Sequence, residues 1–153
     1  MTVAQAIDVA RDLDQALGQI VRHFGADSGT IHRLAEDGQL HLAAATAGLP
    51  EPVMATIRTI PVGKGMAGLA VEQRRPIDAC NIQTDSSGSV RPGARATGLA
   101  GAIVVPMFSG SEVVGALGIG NRAERTFSAS EIDALLEAGR ALAAKIGGSA
   151  APA

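Results

Sequence analysis

IPVGKGMAGLAVEQRRPIDACNIQTD, residues 60–85, sets the architecture of this chain of 153 residues. A strand over about 58–62 runs into Gly63-Lys64-Gly65, a helix follows from Met66 to about Gln73, and Pro76 ends it ahead of a second strand over about 77–81. Glycines let the backbone turn sharply and leave the N–H groups of the next helix free, a geometry that favours an anion. The turn and the Lys64 ammonium are therefore a candidate contact for a phosphate or carboxylate. The spacing is not that of a Walker loop, and the plainer alternative is a tight strand-to-helix connection that packs Met66 and Leu69 inward.

Upstream, residues 3–24 carry Ile7, Ala10, Leu13, Leu17, Ile20, Val21 and Phe24 at helical spacing, which predicts one long helix capped by Gly25. Residues 28–35 and 39–46 flank Asp37-Gly38, a two-residue hairpin signal that sets Leu34 against His41 and Arg33 against Leu42. Pro50 and Pro52 open a short helix reaching about Ile57. Downstream, residues 83–98 are polar and glycine-rich, and read as a long loop with one helical turn; loops of that length in a small domain tend to be functional or disordered. A hairpin then pairs 101–108 with 112–120, and Gly115, Gly118 and Gly120 on its second strand suggest the close approach of a packed helix or a ligand. Ser128 and Glu131 form a capping box for a last helix that Gly147 ends.

This order gives an α+β class with a mainly antiparallel sheet. The expected organisation is one domain over 1–147 and a disordered tail over 148–153. Apolar residues make up 46% of the chain, but three Phe are its whole aromatic complement, so aliphatic side chains and glycine must pack the core. A net charge of −2 argues against a nucleic-acid surface. No run approaches about 18 apolar residues, so no membrane span is expected, and the setting is expected to be cytoplasmic. One cysteine, Cys80, excludes an intrachain disulfide and a multi-thiolate metal site.

Three features are candidates for chemistry. Cys80 becomes a reactive thiol only if cations such as Arg91 or Arg95 lower its pKa; otherwise it is a small buried hydrophobe. Of His23, His32 and His41, the last two fall on one hairpin face, but no third ligand stands at a metal-binding spacing, so no metal is expected. Arg91 and Arg95, with Asp85, Ser86, Ser87, Ser89 and Thr97, form the densest polar cluster, suited to a small anionic or polar ligand or, more plainly, to a solvated loop.

Taken together, the Gly63-Lys64-Gly65 turn with its helix, the glycine-rich hairpin and the final helix resemble the GAF domain over about 16–146, a module that senses small molecules. The resemblance implies a sheet of about five or six strands, with terminal helices on one face and a pocket under the short helices and the 83–98 loop on the other. It implies ligand contacts from Met66, Cys80, Asp85, Arg91, Arg95, Thr97, Val105 and Met107, with the two arginines binding charge. Asn121, Phe127 and Glu131 match the Asn-Lys…Phe…Asp-Glu pattern of cyclic-nucleotide-binding members, but Arg122 and Ser130 replace its ion-paired Lys and Asp. In the free methionine-(R)-sulfoxide reductase pattern the cysteine positions fall near Ile57 (or Thr56), Ala67 and Arg95, and Cys80 matches none, so an enzyme is not expected. Neither bilin nor haem is expected, since the chain lacks a suitably placed cysteine, aromatics and an axial histidine. The expected role is a sensory or regulatory domain without a cofactor, binding a small polar or anionic molecule and pairing as a homodimer through Ala134, Ala138, Ala141 and Ala144 of its last helix. The alternatives are a dimerisation module without a ligand and a cyclic-nucleotide-binding domain.

Overall fold

The N-terminal apolar pattern folds into two helices where a single one was expected. The computed structural model describes residues 2–90 and 92–150 and begins with α1 (Val3–Val9) and α2 (Leu13–His23). Asp12 breaks the run. Its carboxylate accepts the Gln15 N–H at 2.8 Å, and the Gln15 side chain accepts the N–H of Arg11, one residue before the cap, at 2.7 Å; in α1 the box closes on the cap itself, Gln5 accepting the Thr2 N–H. A short polar side chain that bonds nearby backbone favours a helix start over helix continuation. Both helices still bury their stripes, Ile7 and Ala10 with Leu17 and Ile20, in one core. At the far end Gly25 takes φ 62°, and the Ala26 N–H reaches the Val21 carbonyl, closing α2 as its glycine predicts.

The first hairpin forms where Asp37-Gly38 places it, but one residue out of the expected register. Strands β1 (Ser28–Leu34) and β2 (Gln39–Ala45) pair Leu34 with Leu40 and Arg33 with His41. The Gly38 N–H bonds the Ala35 carbonyl and the Ala35 N–H bonds that of Gln39, so the loop holds Glu36, Asp37 and Gly38. Gly38, at φ 77°, supplies the left-handed residue that a three-residue loop needs. A bulge between Ile31 and His32 then restores the expected register, with Ile31 opposite Ala44 and Thr30 opposite Ala45.

Next come α3 (Glu51–Ile57), β3 (Thr59–Pro61), α4 (Gly65–Gln73) and β4 (Ile77–Ala79). In the decisive stretch the Gly63 N–H bonds the Gly68 carbonyl and the Lys64 N–H bonds that of Pro61. The turn is thus a tight connection that spends two of its donors internally. Arg74, at φ 58°, closes α4 two residues before the expected Pro76, and its guanidinium donates to the Ser111 carbonyl. A 3-10 helix spans Pro92–Thr97, followed by β5 (Gly101–Ser109), β6 (Glu112–Asn121) and α5 (Ala129–Ala150). Helix α5 continues through Gly147, because glycine permits a left-handed cap without requiring one. Of the expected tail, residues 151–153 lie outside the described residues.

All six strands form one antiparallel sheet in the order β3-β2-β1-β6-β5-β4, the expected α+β arrangement. Helices α1, α2 and α5 cover one face, packing on Ile31, Ile103, Val105, Leu117 and Ile119. Against the other lie Val71 and Ala67 of α4 and Ile57 of α3, with Leu40, Ile60 and Ala116.

A clasp locks the start of α5. Arg125 donates to Glu131 at 2.7 Å and to Asn121 at 2.9 Å, lies 4.5 Å above the Phe127 ring, and gives its backbone N–H to the Cys80 carbonyl. The Ser128 N–H and then Arg125 hold the Glu131 carboxyl below the usual carboxylate range. The pair between positions 122 and 130 cannot form with a neutral Ser130, and Arg125–Glu131 supplies one beside it. The Arg122 N–H bonds Asp27 instead.

A β-carbon at Gly68 would overlap the Pro61 carbonyl oxygen and lie 3.0 Å from the Gly63 nitrogen. Gly68→Ala is therefore expected to cost about 1–3 kcal/mol, as overpacking does. The check is a urea titration, with a lower midpoint at an unchanged slope; an unmoved midpoint would mean that α4 can shift away from β3.

Candidate functional site

On the side of the sheet away from the terminal helices, β6 presents Ala116, Gly118 and Gly120. This face therefore has depth where a strand normally has side chains. A cavity of about 170 Å³ lies there. Its floor is Thr30 and His32 of β1, Ala102 and Val104 of β5, and the two glycines. Its walls are Leu49, Val53 and Ile57 around α3, Ile60 of β3, Ala67 of α4, and Ala94, Thr97 and Leu99 in and after the 3-10 helix. A β-carbon at Gly120 would come within 2.7 Å of Leu99 Cδ1, and one at Gly118 within 3.2 Å of Thr30 Oγ1. The expected approach to the strand glycines is real, and on this face it is made by Leu99 and the cavity.

His32 is the one buried polar side chain among the described residues, 2% exposed. Its Nε2 lies 2.8 Å from the Ile57 carbonyl, which can only accept, so Nε2 carries the proton and Nδ1 is an acceptor. Burial pushes the imidazole below its ordinary pKa, and the bond to Ile57 only partly opposes this. A neutral ring is the result. No side-chain nitrogen or oxygen that is sealed from solvent among the described residues lacks a partner. Nδ1 has no partner among the described residues, and His32 lines the cavity. His41, expected on the same face, instead pairs with Asp37 at 2.8 Å beside the hairpin loop. The register shift sets His41 opposite Arg33, on the other face from His32, and the described residues hold no cluster of three metal-ligating side chains.

Of the residues expected to contact a ligand, Thr97 lines the cavity, its hydroxyl donating to the Ala94 carbonyl and accepting the Leu99 N–H. Val105 and Met107 are fully buried under the terminal helices, on the opposite face, and Val104 takes their place. Met66 packs beside Ala79, Ile82 and Ala102 and does not line the cavity. Cys80 is exposed and lies outside the lining, with Thr126 Oγ1 3.8 Å from its sulfur; it is not the buried hydrophobe of the plainer expectation. Asp85 accepts from Ser87, and Arg95 donates at 3.3 Å to the Asp85 carbonyl, so both serve the loop itself. Arg91 lies outside the described residues. No charged side chain among the described residues lines the cavity. His32 and the aliphatic walls were missed; the sequence signal for them was the run of glycines on β6, which marks the floor.

The neutral His32 makes stability depend on pH. Its folded pKa is lowered, so the unfolded chain binds the proton first as pH falls below about 6.5. Stability is expected to be level above that value and to decline below it until the folded ring also titrates. In His32→Gln this step should vanish, leaving only the acid loss from carboxylates such as Glu131 at lower pH. Thermal unfolding from pH 8 to 4 tests this; identical profiles for the two proteins would refute it.

A sequence description of the GAF domain matches residues 6–146. No curated protein matches the sequence. Among solved structures, the GAF domain of a Coxiella burnetii phosphoenolpyruvate-protein phosphotransferase superposes with a TM-score of 0.78 at 23% identity, covering 96% of this chain and 89% of that one. The corresponding domain from Acinetobacter gives 0.75 at 18%, covering 98% and 92%. The free methionine-R-sulfoxide reductase of Neisseria meningitidis, solved with its substrate, gives 0.77 at 18%, covering 96% and 85%. Identities this low establish a shared fold, and the fold neighbours include a sulfoxide reductase as well as GAF domains of phosphotransferases. With the match spanning nearly all of its length, the chain belongs to the GAF domain family.

Proposed function

We propose that this GAF domain binds a small molecule in the cavity above β6 and serves as a sensory or regulatory element that catalyses no reaction. The observation that carries the reading is the cavity itself: an apolar recess on the glycine face of the sheet, with one buried polar ring at its floor. Such recesses, with few convergent polar groups, are typical ligand sites. The reading as a non-enzyme is supported by Cys80, which is exposed and outside the lining, and by His32, whose Nε2 is held by Ile57. A sulfoxide reductase needs a thiol at the substrate to form its disulfide, and no lining residue offers one.

An occupant would favour one position of the wall from Ala94 to Leu99. That wall continues into β5, which packs against α5. Differential affinity for two wall positions is the physical basis of signalling to a partner or a second copy.

A thermal-shift panel on the wild type and on Ala67→Leu, whose larger side chain fills the cavity, tests the reading. A cavity ligand at about 100 times its Kd adds about 2.7 kcal/mol, several degrees in Tm. It should do so in the wild type and not in the variant. Compounds that shift both proteins equally bind elsewhere and would defeat the proposal.

A further inference from the structure

We infer that the occupant of this cavity is an uncharged, largely apolar molecule about the size of one ring, and that its single hydrogen-bond donor is read by His32 Nδ1. The inference rests on the cavity being the binding site and goes further by naming the ligand's chemistry. It departs from the polar or anionic ligand that the loop arginines suggest.

Size comes first. At about 170 Å³, the cavity is close to the roughly 150 Å³ of an engineered protein cavity that takes benzene. A nucleotide would have to extend well beyond that space. Charge comes second. Moving an ion out of water without a partner is prohibitive, and the lining among the described residues offers no charged side chain. Arg95 is exposed and turned to the Asp85 carbonyl, and Lys64 is exposed on the β3–α4 turn.

Polarity then selects the functional group. Thr97 Oγ1 is occupied as donor and acceptor within its own segment. Thr30 Oγ1 has no partner among the described residues, and as a hydroxyl it adapts to either role. His32 does not adapt. Its proton is fixed on Nε2 by the Ile57 carbonyl at the end of α3, so Nδ1 can only accept. A ketone, aldehyde or carboxylate oxygen would face that lone pair with one of its own. A hydroxyl or a ring N–H would satisfy it, and a site built around a hydrogen bond rejects the analogue that lacks the group.

Calorimetric titration with phenol, toluene, benzaldehyde and benzoate at neutral pH tests the inference. Phenol is expected to bind about fivefold or more tightly than toluene and benzaldehyde, the scale of one neutral hydrogen bond, and benzoate not measurably. In His32→Leu the preference for phenol over toluene should disappear. In His32→Gln, whose amide can donate to Ile57 and still accept, it should persist. Should either variant fail to fold, the four wild-type affinities decide alone. Benzoate or benzaldehyde binding as well as phenol, an unchanged phenol preference in His32→Leu, or no binding by any of the four overturns the inference. The broader reading stands or falls separately: an anion that binds the wild type but not Ala67→Leu would keep the cavity as the site while removing the ligand class argued here.

Discussion

From Ala116 to Gly120 the cavity side of β6 carries nothing larger than a methyl group, and the rest of the molecule is arranged around that deficit. The same strand turns Leu117 and Ile119 toward the terminal helices, where long side chains let α2 and α5 pack closely. On the bare side α4 meets Ala116 through Val71, and Leu99, Ala67 and Val53 stand around the glycines without filling the space above them. The asymmetry between a filled face and a recessed one comes from alternation along one strand.

Much of this organisation is legible in the residues. Gly25 marks the end of α2, Asp37-Gly38 the first hairpin, and Ser128 with Glu131 the start of α5, because each fixes a local backbone geometry that tertiary contacts then accept. What escaped is set by counting one residue more or fewer. Ala35 and Glu36 fit a two- or a three-residue loop equally well, and the difference moved the partners of His32, Arg33 and Leu34, up to the bulge. Asp12 and Gln15 spell a helix start, but the apolar period running through them reads as continuous. Val105 and Met107 were assigned to the cavity and belong to the opposite core because nothing local says which parity of β5 faces which layer; a one-residue slip exchanges the faces. The polar residues of the 83–98 loop drew attention by their chemistry, yet Asp85 and Arg95 bond mostly to the loop itself.

The structural neighbours separate scaffold from chemistry. Phosphotransferase GAF domains and a sulfoxide reductase superpose on this chain about equally well, so the sheet and its helices do not choose an activity. On the recessed face of this chain the side chains are a neutral histidine, Ser28, Thr30, Thr97 and aliphatic groups. The Arg125–Glu131 clasp makes a related point for stability. Ser130 leaves no acid at its own position, and the chain anchors α5 through neighbouring residues that still meet Asn121 and Phe127.

The pairing of β1 with β6 joins strands from opposite ends of the sequence, Ser28 meeting Gly120 and Arg33 meeting Gly115. Such a contact closes a long loop, whose entropy must be offset before the contact gives anything back, and topologies of this kind fold slowly. His32 and Gly118 stand on either side of that seam. The recess therefore has no precursor in either half of the chain: it exists only once β1 and β6 are paired. An occupant would bind the closed domain alone and so favour it over any state in which that seam is open.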